Sequence, residues 1–191
     1  MTLTLQVPGD SKTLHSALVA AATGATGGFA AFAFATSTGI DTVLAEPAIH
    51  KLLGTGQFQL VIGLDAITDT AAIAALKTAK DALPNAAISL FYNPKGGVLY
   101  HPKTMFFRSP TGGLCLTGSG NLTLGGLRNN WEAFWKADVS IADAVVLDAQ
   151  WAKWVADHKD NLLPPDDPRV ITQAALNAIT RAKIQKAGKE T

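Results

Sequence analysis

Apolar and polar positions in the first half of the chain alternate between helical and strand patterns. Leu14 and Leu18 recur at helical spacing, which predicts a first helix from about Ser11 to Thr23. The fully apolar run from Phe29 to Ala35 is typical of a central strand. The pattern then repeats as a second helix around residues 44–53, a strand over Phe58–Leu64, and a third helix that begins at Asp69 or Thr70 and ends at Pro84. Strands that alternate with helices build a parallel sheet covered by helices.

The second half of the chain has a different pattern, with strands that follow one another closely. The predicted strands are Ala87–Tyr92, Val98–Phe107, Leu114–Ser119 and Trp131–Ile141. The glycine-rich segment 108–113 predicts a hairpin turn between two of them. The chain ends in a predicted helix over Ala142–His158, a proline-rich linker over Leu163–Pro168 and a last helix over Val170–Ala187.

Together these elements predict an α/β fold with a mixed, largely parallel β-sheet and helices on both faces. Residues 1–162 are expected to form the catalytic domain, and 163–191 a linker followed by a C-terminal helix. Hydrophobic residues make up 48% of the chain and charged residues only 16%, against a usual charged share of about 25%. This composition indicates a compact core and a surface suited to self-association.

A single cysteine and an uncharged segment bear on where the protein acts. With Cys115 as the only cysteine, an intrachain disulfide is excluded, which fits a reducing, cytoplasmic compartment. No charged residue lies between Thr13 and Ile40, but the turn Thr23–Gly28 interrupts this run. We therefore expect no stable membrane insertion, and the amino terminus lacks the pattern of a secretory signal.

The net charge of +1 hides a local imbalance. The segment Lys95–Lys136 contains five basic residues and one acidic residue, a local net charge of +4. This excess fits a polyanionic substrate, although an ordinary solvated surface would also explain it. No recognition helix or base-stacking motif is evident, so sequence specificity would reside in a separate module or partner protein.

Two short motifs carry candidate chemistry. His101 and Lys103 lie two residues apart in the predicted strand Val98–Phe107, so their side chains should leave the same face of the sheet. The motif Gly118-Ser119-Gly120-Asn121 ends another strand with a hydroxyl, an amide and exposed backbone N–H groups, which are suitable donors for phosphate oxygens. Each motif alone is explained as well by a structural histidine or an ordinary glycine turn.

In combination, these motifs are more informative. Over Tyr100–Glu132 the chain resembles the phospholipase D superfamily, and within it the bacterial phospholipase D-like nucleases, including metal-independent restriction endonucleases. The resemblance rests on His101-x-Lys103, Gly118-Ser119-x-Asn121 and Gly126-Leu127-x-x-Asn130-x-Glu132. The superfamily's usual Asp after the Lys is replaced here by Arg108, and the spacing to Gly-Ser is about three residues longer. Both departures resemble the nuclease branch more than the lipid-processing branch.

The resemblance implies a role for each motif residue. Lys103, Ser119 and Asn121, with the backbone at Gly120, would neutralise the oxygens of a phosphodiester. His101 would attack phosphorus and form a phosphohistidine, which divides one displacement into two easier steps.

A second histidine must protonate the leaving oxygen, and the chain has no second His-x-Lys motif. The resemblance implies a homodimer in which each chain contributes one His101 and one Lys103 to a shared site. Glu132 would fix the histidine tautomer and support its charge. The catalytic residues are therefore His101, Lys103, Asn121 and Glu132, with Ser119 and Gly120 binding phosphate.

No metal and no cofactor is implied, because the remaining histidine and carboxylate side chains show no ligand spacing. The leading hypothesis is a metal-independent DNA endonuclease of restriction or repair type, with RNA as another substrate. Two alternatives are open: a hydrolase or transferase acting on phospholipids or other small phosphodiesters, and a catalytically silent nucleic-acid-binding or scaffold domain.

Overall fold

A computed structural model describes residues 1–65, 67–95 and 97–187 as one eight-stranded sheet with six helices. The strands are β1 (Thr2–Gln6), β2 (Gly27–Phe32), β3 (Phe58–Gly63), β4 (Ala87–Phe91), β5 (Lys103–Ser109), β6 (Gly112–Gly118), β7 (Glu132–Val139) and β8 (Leu162–Leu163). The helices are α1 (Leu14–Ala22), α2 (Ser37–Leu44), α3 (Pro47–Gly54), α4 (Thr70–Ala82), α5 (Ile141–Asp157) and α6 (Pro168–Ala187). A single π-helical turn, Gly125–Asn129, precedes β7.

The strand order is β1-β7-β6-β5-β2-β3-β4-β8. The predicted α/β class, with a mixed sheet and helices on both faces, is confirmed. The parallel part is smaller than predicted, because only the β2–β3 and β3–β4 pairs are parallel while the other five pairs are antiparallel. The β5–β6 hairpin, the two edge strands and the antiparallel β2–β5 and β6–β7 pairs account for this difference.

Two helix boundaries differ from the sequence prediction for local reasons. Helix α1 begins after Thr13, whose hydroxyl accepts a hydrogen bond from Ser16 N while the Ser16 hydroxyl accepts one from Thr13 N, each at 3.1 Å. The predicted second helix is two helices, α2 and α3. It breaks at Glu46, which is extended because the following Pro47 disfavours the helical conformation there.

The strand predicted over Val98–Phe107 begins only at Lys103. Residues 98–102 form no regular structure, so His101 lies just before the strand and not within it. Pro102 offers no backbone donor, which prevents the ladder from extending through it. Strand alternation alone therefore does not place the side chains of His101 and Lys103 together, and their side-chain contacts decide whether they meet.

The main core lies between one sheet face and helices α1–α4 and α6. On the opposite face, α5 packs Ala144, Leu147 and Trp151 against Phe29 and Phe106 of the sheet. Alternate residues of β2 thus enter different cores, as the strand period requires. The residues of the candidate motifs lie at or next to the ends of β5, β6 and β7.

Helix α6 belongs to the main core. Val170 and Ala174 are fully buried, and Asn177 donates hydrogen bonds to Leu64 O and Thr68 O at 3.0 and 2.9 Å. Leu163, in the predicted linker, pairs with Leu90 as part of the two-residue strand β8. The C-terminal segment therefore packs against the sheet and α4.

Candidate active site

Four strand ends meet at one edge of the sheet. The carboxyl ends of β2 and β6 lie beside the amino ends of β5 and β7, because these four strands are paired antiparallel. Phe32 is in register with Lys103, and Gly118 with Phe134. The residues that follow β2 and β6 therefore come together with those that precede β5 and β7.

His101 and Lys103 are in direct contact at this edge. The Lys103 Nζ lies 3.1 Å from His101 Nδ1 and 3.2 Å from Nε2, so the ammonium is in contact with both ring nitrogens. The ring of Phe34 meets the imidazole edge-on, with centroids 5.4 Å apart. The imidazole is solvent-exposed but is supported on one side by Phe34 and on another by Lys103.

Partial burial affects the pKa of the Lys103 ammonium. Desolvation lowers the pKa of its ammonium, and the nearby negative charge of Glu132 opposes that effect. This opposition means that Lys103 and Glu132 interact electrostatically across the site. The two side chains come from the amino ends of β5 and β7.

Ser119 and Glu132 form the second pair of the site. The Ser119 hydroxyl donates to a carboxylate oxygen of Glu132 in a short hydrogen bond and accepts one from Ala133 N at 3.0 Å. Asn130 Nδ2 lies 3.4 Å from the other carboxylate oxygen. Both oxygens of Glu132 thus have neutral polar partners. The interaction of Glu132 with histidine that the sequence analysis expected stays a prediction.

Asn121 lies in the loop between these two pairs. Backbone hydrogen bonds from Leu122 N to Phe34 O and from Thr36 N to Leu122 O, each 3.1 Å, fasten this loop to the chain after β2. The Asn121 Oδ1 is buried and has no hydrogen-bond partner among the described residues. An unpaired buried acceptor is costly, so a ligand or partner group that completes this site would stabilise it.

Glycine is required where this loop crosses the π-helical turn. A Cβ on Gly126 would lie 2.5 Å from both the backbone N and O of Asn121. A Cβ on Gly120 would lie 2.7 Å from Gly126 O and from the side chain of Leu14. The two glycines therefore allow the close backbone approach that positions Asn121 and Gly120.

A residue that supports the π-helical turn, Gln6, was not predicted from the sequence. It is 1% exposed, and its Nε2 donates to Asn130 O at 3.0 Å and approaches Gly126 O at 3.4 Å. Its Oε1 accepts from Leu14 N at 2.7 Å. Gln6 thus connects β1, α1 and the π-helical turn. No sequence signal marks it, because two of its three partners, Gly126 and Asn130, lie more than one hundred residues away.

The site as a whole contains an imidazole, a cation, a hydroxyl, two amides and a carboxylate. Within the described ranges, no cluster of three or more histidine, cysteine or carboxylate side chains could hold a metal ion. No helix in the described part of the chain has the length and apolar character needed to cross a bilayer.

Known structures share this fold. NucT from Helicobacter pylori superposes with a TM-score of 0.55 at 16% identity, covering 85% of this chain and 96% of that one. Nuc from Salmonella typhimurium, a phospholipase D family member, gives 0.51 at 16% identity, covering 84% of this chain and 97% of that one. Phosphatidylserine synthase from Haemophilus influenzae gives 0.55 at 13% identity, covering 98% of this chain and 46% of that one.

No protein-family model and no curated protein sequence matches the chain. At these identities the structural likeness establishes the fold, independently of the motifs. The superpositions therefore show that the chain has the phospholipase D fold.

Proposed function

We propose that the chain is a metal-independent phosphodiesterase that cleaves DNA through a phosphohistidine at His101. The observation that carries this proposal is the contact of Lys103 Nζ with both ring nitrogens of an exposed imidazole, at 3.1 and 3.2 Å. A phosphate whose phosphorus approaches a ring nitrogen brings its oxygens within reach of the ammonium. The attack of the ring nitrogen on phosphorus and the neutralisation of the phosphate oxygens by the ammonium then occur at the same site.

The reaction has two displacements. A ring nitrogen of His101 attacks phosphorus, a P–N bond forms, and the P–O bond to the leaving nucleoside oxygen breaks as an acid protonates that oxygen. Water then attacks the phosphohistidine, the P–N bond breaks, and the water proton passes to a base. Lys103, Asn121 and the Gly120 backbone hold the phosphoryl oxygens throughout, and Ser119 joins them when its hydroxyl turns from Glu132 to the phosphate.

We place the acid and base on His101 of a second copy. The outer face of β1 and β7 supports such a dimer, because it exposes large apolar side chains beside the site. Exposed fractions are 45% for Leu3, 66% for Leu5, 75% for Trp131 and 41% for Trp135. Trp131 directly precedes Glu132, so a second chain seated on this apolar face would lie close to the site. An apolar patch of this kind is typical of an interaction surface.

DNA is favoured as the substrate by Lys95, Lys103 and Lys136 of the segment that contains the site, whereas Arg108 and Arg128 of that segment are paired with Asp148 and Glu46. A phospholipid is the second candidate, because the superposition with phosphatidylserine synthase covers 98% of this chain. Both substrates present a phosphodiester to the same residues, so activity assays must separate them.

The test is hydrolysis in excess EDTA of plasmid DNA, single-stranded DNA and phosphatidylcholine vesicles. We expect the purified protein to cut DNA and His101→Ala to reduce the rate by about 1,000-fold or more. His50→Ala, which alters an exposed histidine on α3, should retain the full rate. Headgroup release without DNA cleavage would favour the lipid alternative, and DNA binding without either activity would favour a silent scaffold.

A further inference from the structure

A groove runs along the sheet face that α5 covers, and the two chain neighbours of His101 form part of its lining. It has a volume of about 460 Å³ and lies between the segment before β5 and the helix. Its walls include Tyr100 and Pro102 on one side and Gln150, Trp151 and Trp154 on the other. The volume is in the range of ligand-binding grooves, and the walls are mostly flat aromatic surfaces.

The aromatic rings of α5 form a continuous row. Trp151 stacks on Phe29 with centroids 4.1 Å apart and planes 4° apart, and the Trp151 Nε1 donates to Gln59 at 2.8 Å. Trp154 lies 5.0 Å from Trp151 and 4.8 Å from His158, again stacked. These contacts fix the ring planes, so the groove wall is already formed before a ligand binds.

Tyr100 continues the aromatic surface toward the site. Its ring stacks on Phe91 at 4.2 Å and lies 6.0 Å from Trp154. A second groove, of about 450 Å³, shares Tyr100 and Trp154 with the first and reaches Lys95 and Asn161. The two grooves together follow one path beside the Tyr100–Trp154 pair.

Part of this path is formed by residues adjacent along the chain to the proposed nucleophile. Tyr100 and Pro102 are the chain neighbours of His101, and consecutive Cα atoms are about 3.8 Å apart. The groove wall and the proposed nucleophile are therefore carried by the same three-residue segment. The cation of Lys95 at the far end adds charge suited to a further phosphate.

We propose that this groove binds an unpaired nucleobase of the substrate strand, next to the phosphodiester held at His101. The proposal rests on the phosphodiesterase function above. Flat rings flanked by the amides of Gln150 and Asn161 match a nucleobase, which offers a π-face for stacking and polar edges for hydrogen bonds. Bases in a duplex are already stacked and paired, so the groove favours single-stranded segments.

The test compares two oligonucleotides that carry the same number of phosphates. A labelled thymidylate strand of about twelve nucleotides and an abasic strand of equal length would be bound to His101→Ala, which prevents turnover. We expect the thymidylate strand to bind about ten-fold more tightly or better. Adding Trp154→Leu should remove most of that preference and leave the affinity for the abasic strand unchanged. Adding Val146→Ala instead, at an exposed position of α5, should preserve the preference.

Equal affinity for the two strands would overturn the proposal. An equal loss of affinity for the thymidylate and abasic strands in Trp154→Leu would also overturn it. Binding of phosphatidylcholine vesicles that depends on Trp154, with no preference for bases, would assign the groove to lipid instead. The experiment can refute the phosphodiesterase proposal and the groove proposal independently. DNA hydrolysis without base preference refutes only the groove, whereas base preference without hydrolysis by the unmutated protein refutes only the phosphodiesterase.

Discussion

At the scale of single residues, a second histidine outside the site has an unusual environment. His15 is 7% exposed and lies 3.0 Å from both Glu46 Oε1 and Arg128 Nη2. A neutral imidazole can donate from one nitrogen to Glu46 and accept at the other from Arg128, so the neutral ring suits both neighbours. Arg128 belongs to the π-helical turn before Asn130, which links this cluster to the site.

Burial, and then the positive charge of Arg128, lowers the pKa of His15 below its ordinary value of 6.5, although Glu46 opposes the change. Below pH 6.5 the unfolded chain therefore takes up a proton that the folded chain resists. We expect the free energy of unfolding to fall as the pH drops below that value. One such group contributes up to about 1.4 kcal/mol per pH unit.

Urea unfolding over a series of pH values measures this slope. His15→Gln should flatten it, and His50→Gln, at an exposed histidine, should leave it unchanged. An identical slope in the His15→Gln protein would show that this ring titrates normally in the fold.

The sequence was sufficient to predict that His101 contacts Lys103, whereas the functional roles of the candidate site residues stay predictions. His101 and Lys103 could be paired because they are close along the chain, and Ser119 and Asn121 because a glycine-rich strand end exposes them. Gln6 could not be found in this way. Its role depends on contacts with Gly126 and Asn130 that only the folded chain brings together.

At the scale of elements, α6 is anchored by polar contacts as well as apolar ones. The side chain of Asn177 is 5% exposed and donates to two backbone oxygens in the loop before α4. Arg181 forms an ion pair with Asp69, the capping residue of α4, at 2.8 Å. These contacts hold the loop that follows β3 against the last helix.

Asn177→Leu should therefore destabilise the protein by about 1–3 kcal/mol, because two buried carbonyl groups lose their donor. Leu176→Ala, at an exposed position of the same helix, should change stability by less than about 0.5 kcal/mol. Denaturant unfolding of both variants checks this prediction. Equal stability of Asn177→Leu and the parent protein would mean that α6 does not rely on these bonds.

Element prediction succeeded where periodicity was strong and failed where tertiary pairing decided the outcome. The apolar run of β2 and the helical face of α4 were evident from the sequence. Strand β1 was missed because its alternation of threonine and leucine is short, and its pairing partner β7 lies far along the chain. The break before Pro47 and the irregular segment before Lys103 both follow from proline, whose local effect outweighed the apolar pattern.

At the scale of the whole molecule, the proposed two-step reaction requires two chains in each active unit. Leu3 and Trp135 face each other in register on β1 and β7, and both are exposed. We expect sedimentation at micromolar concentration to give a dimer. Trp135→Asp should shift the protein toward monomer and reduce hydrolysis in parallel, because burying a carboxylate in an apolar interface is costly.

The matched control is Ile171→Asp, at an exposed apolar residue of α6, which should remain dimeric and active. A monomer that hydrolyses DNA at the full rate would contradict the shared site, since one chain supplies only one His-x-Lys motif.

The most direct test of the central claim is to acid-quench or base-quench a reaction with end-labelled DNA and map any protein–phosphate bond by mass spectrometry. The phosphohistidine mechanism predicts an acid-labile, base-stable adduct on His101 that forms in excess EDTA and is absent in His101→Ala. Hydrolysis at the full rate by His101→Ala, or an adduct on a different residue, would contradict it.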